Sequence, residues 1–241
     1  RKKTTSVDLQ KLKTKGKPIT MVTAYTYSSA MHVDAADIDV LLVGDSAAMV
    51  ELGHDTTLPM TVEQMLYHCQ AVARGATKPL LVGDMPFGSY EASAEVAYGN
   101  AIRFLKEGNM DCVKMEGGIH RADTVRRVVR GGVAVMGHIG LTPQVKHSPR
   151  HFQAYSVMGG FRSQGRTAEA ARKLIDDARA VQDAGAFALV VECVPSLGIR
   201  SCHNRLVVAR AITMAVDIPT IGTVFSLILA GIGSGPHCSG Q

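Results

Sequence analysis

The stretches Val40 to Ser46, VLLVGDS, and Leu80 to Asp84, LLVGD, are the strongest indication of the fold of this chain. In each, a short apolar run leads through a glycine to an aspartate. Apolar runs of this length without alternation are typical of strands that are covered on both faces, as in parallel sheets, although a buried turn of helix can have the same composition. If both runs are strands, Asp45 and Asp84 lie where buried strands end.

The same pattern recurs at three later places in the chain. Each run finishes on a side chain that can bind a metal ion or move a proton. The three runs are CVKME at Cys112 to Glu116, VAVMGH at Val133 to His138, and ALVVE at Ala188 to Glu192. Chemically active groups are therefore expected at a succession of strand ends.

Amphipathic helices are predicted between these runs. Thr61 and Gln64 have the spacing of a capping box, apolar residues follow at helical intervals, and Gly75 is a stop signal. The segments from Ser93 to Gly108 and from Thr167 to Gly185 repeat this pattern. Alternating strands and helices predict an α/β fold with a parallel sheet.

Length and composition favour one soluble domain. The chain has 241 residues, 46% of them hydrophobic, which suffices for a single α/β barrel with its own core. No apolar run approaches the roughly 18 residues that a membrane span needs, and no secretory signal is recognised.

The five cysteines have no CxxC spacing, which favours packed thiols in a reducing compartment over a disulfide framework or a zinc site.

Basic residues are concentrated at the start of the chain. Residues 1–17 hold seven lysines and arginines and one aspartate, whereas the whole chain has a formal net charge of +5. The remainder is close to neutral, which argues against a nucleic-acid-binding face. We expect residues 1–17 to form a basic, flexible and solvated arm; contact with an acidic surface and the remnant of a targeting segment are the alternatives.

The strand ends are expected to meet, because open α/β sheets and barrels both present functional groups at the carboxyl ends of their strands. Several oxygen donors from separate strands suit a hard divalent ion such as Mg²⁺, and clustered carboxylates repel one another unless a cation offsets them. The cluster therefore favours a metal site. Its members are Asp45, Asp84, Glu116, His138 and Glu192.

Each of these residues, taken singly, also has a purely structural interpretation. Asp45 could cap a following helix, and Asp84 could order a turn. Glu116 could pair with Lys114, which by itself is more often solvated. A rim histidine such as His138 is more often a hydrogen-bonded residue than a ligand. Only the clustering of several acids favours the metal site over these alternatives.

Six motifs, in one order along the chain, resemble a known family. They are TAYTYSSA at Thr23 to Ala30, VGDSAAMVELGHDTTLPMT at Val43 to Thr61, KMEGG at Lys114 to Gly118, GHIGLTPQ at Gly137 to Gln144, GGFRSQGR at Gly159 to Arg166, and ECVP at Glu192 to Pro195. Through them the chain resembles the 3-methyl-2-oxobutanoate hydroxymethyltransferase family, also called ketopantoate hydroxymethyltransferases. The resemblance runs from about Ile19 to Gln144, resumes near Tyr155, and continues in shorter pieces to Gln241.

The resemblance implies an α/β fold of the TIM type, a (β/α)₈ barrel that binds Mg²⁺. The metal ligands would be Asp45, Asp84 and, more loosely or through water, Glu116. We expect residues 18–241 to form this barrel as a single domain.

The same resemblance implies how the substrate is held. Ser46 and Lys114 would hold the carboxylate of 3-methyl-2-oxobutanoate, with His138 nearby, and Glu192 matches the family's proposed proton acceptor. The implied substrate-binding set is Ser46, Asp45, Asp84, Lys114 and His138.

The implied reaction belongs to pantothenate (vitamin B5) and coenzyme A biosynthesis. Through a metal-stabilised enolate, 3-methyl-2-oxobutanoate and the co-substrate 5,10-methylenetetrahydrofolate would give 2-dehydropantoate and tetrahydrofolate. The family also implies a homo-oligomer, often a decamer, if the barrel is complete. The charge distribution and the lack of a long apolar run predict no nucleic-acid or membrane partner. We expect a mitochondrial protein if the source is eukaryotic, which we favour, and a cytoplasmic one if it is bacterial.

Three stretches depart from the family pattern: Val145 to Gln153, a segment within Ser196 to Leu206, and Thr223 to Gly231. Since deleting them restores the family text, we hypothesise retained introns or gene-model errors, which transcript sequencing tests; genuine surface insertions are the alternative. Thr26 stands where many members have aspartate. We also expect the barrel to be incomplete at the C-terminus, because the eighth strand and closing helices are not recognised.

Two other functions remain as alternatives. One is another Mg²⁺-dependent enzyme acting on 2-oxo acids, of the phosphoenolpyruvate mutase and isocitrate lyase group. The other is an inactive truncated product. The motifs GHDTTLP and KMEGG favour the hydroxymethyltransferase over the first of these.

Overall fold

Seven parallel strands form the centre of the computed structural model, which describes residues 2–144, 146–148, 151–153, 164–194 and 208–223. Numbered along the chain, they are Met21–Thr23 (β1), Val40–Val43 (β2), Leu80–Asp84 (β3), Cys112–Glu116 (β4), Val135–Gly140 (β5), Ala188–Glu192 (β8) and Thr220–Thr223 (β9). Two short strands, Lys146–Ser148 (β6) and His151–Gln153 (β7), pair with each other in antiparallel fashion.

Helices follow most of the parallel strands. They are Ser6–Thr14 (α1), Tyr27–Ala35 (α2), Ala47–Val50 (α3), Val62–Gly75 (α4), Ala94–Lys106 (α5), Ala122–Arg130 (α6), Ala168–Asp183 (α7) and Val208–Ala215 (α8), with a 3₁₀ turn at Ile119–Arg121. The predicted starts of α4, α5 and α7 are confirmed, because Thr61, Ser93 and Thr167 each accept a hydrogen bond from a backbone N–H in the first turn.

The order of the parallel strands in the sheet is their order along the chain, β1-β2-β3-β4-β5-β8-β9. Neighbouring strands in the sheet are therefore successive parallel strands of the sequence. The sheet curls into a nearly closed barrel with helices outside, which confirms the predicted α/β barrel class. An eighth strand would lie between β9 and β1. The part of the chain that the structure describes contains no such strand.

The strands are apolar on both faces, as the sequence predicts for a parallel sheet. One set of alternate residues, including Leu41 and Val113, packs against the helices in the larger core. The other set points into the barrel and forms a smaller inner core. The buried members of that inner core are Leu9, Val40, Leu42, Leu80, Val82, Cys112, Met136, Ala188, Val190 and Ile221.

Helix α1 closes the amino-terminal end of the barrel. Leu9 is fully buried in the inner core beside the first residues of the strands, and Leu12 packs at its edge. A capping box between Thr5 and Asp8 starts the helix. This ordered helix differs from the flexible, solvated arm expected for residues 1–17, because its two leucines give a basic segment one apolar side.

Lys13 attaches α1 to a distant part of the chain. Its ammonium group donates hydrogen bonds to the carbonyls of Thr213, Val216 and Ile218, at 3.2, 2.7 and 2.7 Å. These carbonyls lie at the end of α8 and just before β9. Partial burial lowers the pKa of Lys13, opposed by the nearby charge of Asp217.

The stretches that depart from the family pattern are described only in part. The first contains the antiparallel pair β6 and β7. The second, within Ser196 to Leu206, lies outside the described residues. Of the third, Thr223 ends β9 and the rest also lies outside them.

Two further predictions concern membranes and thiols. Among the described residues, no helix has both the length and the apolar character to cross a bilayer. Cys69 and Cys112 are buried, unpaired thiols in the apolar surroundings that the sequence predicts. Burial raises the pKa of both thiols, so they remain protonated at neutral pH.

Candidate active site

The site follows from the alternation of side chains along the strands. On β4, Cys112 belongs to the inner core, so Lys114 and Glu116 also point into the barrel, nearer its carboxyl end. On β5, His138 follows Met136 in the same way. The same alternation brings Asp84 on β3 and Glu192 on β8 into this group.

Strand register places these side chains close together near the carboxyl ends of their strands. Asp84 is paired with Lys114 across β3 and β4, and Glu116 with His138 across β4 and β5. Glu192 lies opposite Gly140 on β5. The structure therefore brings the predicted residues together at the carboxyl end of the barrel.

Lys114 lies between two acids in a buried environment. Its ammonium nitrogen is 2.9 Å from Asp84 Oδ1 and 3.7 Å from Glu116 Oε1, and all three side chains are at most 4% exposed. Burial by itself lowers a lysine pKa, but the neighbouring carboxylates of Asp84, Glu116 and Asp45 outweigh it and raise the pKa of Lys114. Lys114 is therefore a charged ammonium group at neutral pH.

Asp45 and Asp84 are adjacent, buried carboxyl groups. The backbone N–H of Asp45 donates to Asp84 Oδ2 over 3.1 Å. Burial raises the pKa of Asp45 well above its usual range, and repulsion from Asp84 and Glu116 adds to the effect. Burial also raises the pKa of Asp84, although the Lys114 ammonium opposes this. A further cation nearby would favour the ionised, carboxylate form of both groups.

His138 links the two remaining acids. Its Nδ1 lies 3.1 Å from Glu116 Oε1, and its Nε2 lies 3.0 Å from Glu192 Oε2. Burial and the Lys114 charge lower its pKa, but Glu116 and Glu192 outweigh them and raise the pKa of His138 to about 9. His138 is thus an imidazolium at neutral pH, despite the approach of Lys114 to within 3.2 Å of Nδ1.

Glu116 and Glu192 differ in their surroundings. Burial would raise the pKa of Glu116, but His138 and Lys114 outweigh it and the pKa is lowered, which keeps this group ionised. Glu192 is 27% exposed, whereas Glu116 is 4% exposed. Of the two acids that flank His138, Glu192 is the one that incoming molecules can reach.

Ser46 lies beside Asp45, immediately before the short helix α3. Its hydroxyl shares a hydrogen bond of 2.8 Å with the Tyr25 hydroxyl. Tyr25 is held in turn by its backbone carbonyl, which lies 2.9 Å from Nδ1 of the buried His68. The Ser46 hydroxyl is therefore held at the rim and can donate to an anionic ligand there.

Tyr90 and Gln144 contact the cluster, although the sequence assigned them no role. Gln144 is fully buried, and its side-chain amide donates to Asp45 Oδ2 over 2.9 Å. Tyr90 donates to Gln144 Oε1 and accepts from the backbone N–H of Glu116. Gln144 ends the motif GHIGLTPQ, which was a usable signal, whereas no motif singled out Tyr90.

The acid cluster fits a hard divalent cation. Asp84 Oδ1 is buried and accepts no well-aligned hydrogen bond from the described residues, although Lys114 is close. No three Asp, Glu, His or Cys side chains among these residues form a ready-made metal cage. Mg²⁺ commonly uses only one or two carboxylates and completes its shell with water and substrate oxygens. Asp45 and Asp84 supply such a pair.

Comparison with known sequences points to one family. The family model described as ketopantoate hydroxymethyltransferase matches residues 3–241. The chain is 54% identical over 228 residues to the mitochondrial 3-methyl-2-oxobutanoate hydroxymethyltransferase 1 of Oryza sativa subsp. japonica, covering 94% of this chain and 55% of that protein. It is 47% identical over 240 residues to the enzyme of that name from Heliobacterium modesticaldum, covering 100% and 77%. The chain thus spans about half the length of the plant relatives it matches.

Solved structures show a similar fold. A 2,3-dimethylmalate lyase of the PEP mutase/isocitrate lyase superfamily aligns with a TM-score of 0.59 at 15% identity, covering 97% of this chain and 75% of that one. A phosphonopyruvate hydrolase in complex with oxalate and Mg²⁺ aligns with a TM-score of 0.56 at 13% identity, covering 78% and 62%. At these identities the likeness concerns the barrel fold.

Proposed function

The chain belongs to the ketopantoate hydroxymethyltransferase family, and from this premise we propose that it converts 3-methyl-2-oxobutanoate and 5,10-methylenetetrahydrofolate to 2-dehydropantoate and tetrahydrofolate. The relatives named above carry the name of this activity. The observation that carries the proposal is the convergence of four acids, one lysine and one histidine at the carboxyl end of the barrel. These are Asp45, Asp84, Glu116, Glu192, Lys114 and His138.

Lys114 and Ser46 are proposed to bind the substrate carboxylate. The Lys114 ammonium has a charge opposite to that of the ligand and is buried, where an ion pair is stronger than in water. Ser46 lies next to Asp45 and has a hydroxyl that can donate. Together they would orient the 2-oxo acid with its carboxylate toward β2 and β4.

Asp45 and Asp84 are proposed to hold Mg²⁺, with Glu116 in a looser or water-mediated role. Burial raises the pKa of both aspartates; repulsion from Asp84 and Glu116 adds to this for Asp45, and repulsion from Glu116 adds to it for Asp84. A divalent cation would offset these effects. When bound there, Mg²⁺ would polarise the 2-oxo group and thereby acidify the hydrogen on C3.

Glu192 is proposed to accept the C3 proton. It is the more exposed of the acids that flank His138, and the imidazolium 3.0 Å away can orient it. As the proton leaves, the electron pair of the C–H bond becomes available to form a bond to the methylene carbon of the folate co-substrate. Both carbon–nitrogen bonds of that methylene group break. Water supplies the hydroxyl of the new hydroxymethyl group, and the C3 proton and one proton of water end on the two folate nitrogens, which gives tetrahydrofolate.

Exchange of the C3 hydrogen tests this proposal without the folate. The chain is incubated with 3-methyl-2-oxobutanoate in deuterium oxide, with and without Mg²⁺, and the C3 proton is followed by NMR. We expect Mg²⁺-dependent exchange. A Glu192→Gln variant should lose exchange by at least about 100-fold, in line with the usual contribution of a general base.

Glu169→Gln, at an exposed position in the first turn of α7, is the matched control and should exchange at the unaltered rate. Absence of exchange from a folded sample would contradict the proposed enolisation. Exchange without formation of 2-dehydropantoate, when the folate is added, would favour another 2-oxo acid enzyme of the same fold.

The compartment and the assembly are also proposals. The plant relatives are named mitochondrial, which supports a mitochondrial location if the source is eukaryotic; a bacterial source would support the cytoplasm. The family resemblance supports a homo-oligomer, which in the family is often a decamer, if the barrel is complete. Light scattering coupled to size-exclusion chromatography measures the assembly directly.

A further inference from the structure

The contacts of Gln144 extend across the carboxyl ends of three successive strands. Its side-chain nitrogen donates to Asp45 Oδ2, just after β2, and to the carbonyl of Met85, just after β3, each over 2.9 Å. Its backbone N–H donates to Glu116 Oε2, at the end of β4, over 3.1 Å. One residue thus holds two of the acids and the chain segment that follows Asp84.

Tyr90 holds Gln144 from the opposite side. The Tyr90 hydroxyl donates to Gln144 Oε1, and its oxygen accepts from the backbone N–H of Glu116 over 3.3 Å. Both side chains are buried, at 1% and 0% exposure, so water does not compete for these groups. Guanidinium carbon Cζ of Arg121 lies 5.6 Å from the centre of the Tyr90 ring and packs over it.

The donors and acceptors allow only one direction for these hydrogen bonds. The Met85 carbonyl can only accept, so the amide of Gln144 must present its nitrogen to Met85 and Asp45. Its oxygen then faces Tyr90, which has to donate. The backbone N–H of Glu116 completes the chain by donating to the Tyr90 oxygen. Every side-chain donor and acceptor in this series therefore has a defined partner.

Asp45 is held by a neutral hydrogen-bond donor, the amide of Gln144. Lys114 forms its ion pairs with Asp84 and Glu116, at 2.9 and 3.7 Å. Asp45 instead accepts from the amide of Gln144, which fixes this carboxyl group beside the two other acids without adding a charge. A carboxyl group that is held by a neutral donor keeps its charge available for a bound cation.

We propose that Gln144, held by Tyr90, is a positioning residue that fixes the Asp45 and Glu116 carboxylates for binding of the divalent cation. This inference rests on the proposed function, since it concerns the same site. It adds two residues, from the loops after β3 and β5, to a site otherwise built from strand ends. Neither residue needs to touch the substrate.

The test measures Mn²⁺ binding to the substrate-free chain by electron paramagnetic resonance. Gln144→Met keeps the length of the side chain but removes its hydrogen bonds, and Tyr90→Phe removes one hydroxyl. We expect Gln144→Met to weaken Mn²⁺ binding about 10- to 100-fold, the usual effect of removing a residue that orients a metal ligand. Tyr90→Phe should weaken Mn²⁺ binding by about threefold or more, but by less than Gln144→Met does.

A double variant separates positioning from independent structural damage. If Tyr90 acts through Gln144, Tyr90→Phe combined with Gln144→Met should bind Mn²⁺ no more weakly than Gln144→Met alone. Additive losses would overturn the proposed order of action. Tyr90→Phe retains its ring and decides the question if Gln144→Met does not fold, because unchanged Mn²⁺ affinity in that variant overturns the proposal.

Gln182→Met is the matched control. Its side-chain oxygen accepts from the backbone N–H groups of Asp217 and Ile218, near the amino-terminal end of the barrel. Mn²⁺ affinity should be unchanged in this variant, and equal losses in Gln182→Met and Gln144→Met would overturn the proposal. Failure of the unaltered chain to bind Mn²⁺ would instead refute the metal role in the proposed function, and this inference with it.

Discussion

His138 carries its charge because of the acids on either side of it. Two carboxylates, at 3.1 and 3.0 Å, raise its pKa to about 9 even though burial and Lys114 oppose this. The folded chain therefore binds a proton at His138 that the unfolded chain releases above a pH of about 6.5. This difference makes stability depend on pH.

For the metal-free chain, the contribution of His138 to the free energy of unfolding is fully present below a pH of about 6.5. It is lost as the pH rises through about 9. Unfolding by urea should show that the loss of stability caused by His138→Asn is about 3 kcal/mol larger at pH 6 than at pH 10. His54→Asn, at an exposed position, is the control. An equal loss from His138→Asn at both pH values would contradict the assignment.

Most of the candidate site could be predicted from single residues, for a simple reason. Asp84, Glu116 and Glu192 end apolar runs, and strand periodicity alone sends such residues to one rim. Tyr90 and Gln144 could not be placed in this way. They meet across 54 positions of sequence and belong to loops, whose paths have no comparable period.

For helices and strands, the sequence predicts features that depend on neighbouring residues better than features that depend on distant contacts. The starts of α4, α5 and α7 are determined by a capping residue and its own first turn, so they could be predicted. Helix α1 has an equally local capping box, but its stable position depends on the inner core and on the end of α8. The sequence around it suggested only a basic arm.

Leu9→Ala tests whether α1 is an integral part of the barrel. Leu9 is fully buried, so the variant should lose about 2–5 kcal/mol of unfolding free energy, the usual cost of removing a buried leucine side chain. Val7→Ala, at a position 60% exposed on the same helix, should change stability by less than about 0.5 kcal/mol. Urea unfolding measures both, and equal small effects would indicate an undocked helix.

For the molecule as a whole, burial disfavours the ionised forms of Asp45 and Asp84 at the site. Three buried acids, Asp45, Asp84 and Glu116, meet one lysine and one histidine at the carboxyl end of the barrel. The strand–helix alternation predicted that the acids would converge, because a parallel barrel presents all strand ends on one side. A cation bound to the folded chain alone would stabilise it.

Mg²⁺ should therefore raise the thermal midpoint of the chain. At about 100 times its dissociation constant, the ion adds about 2.7 kcal/mol to the free energy of unfolding. Asp84→Asn should abolish the Mg²⁺-dependent rise, measured by scanning calorimetry at constant ionic strength. An equal rise in Asp84→Asn would show that the ion acts elsewhere.

The attachment of α1 through Lys13 also has a consequence for the timing of folding. Lys13 and the carbonyls that it binds are 200 to 205 positions apart. A ribosome that adds about 5–20 residues per second takes roughly 10–40 s to span that interval. During synthesis, Lys13 of α1 can therefore form its three hydrogen bonds only after the segment from Thr213 to Ile218 has been made.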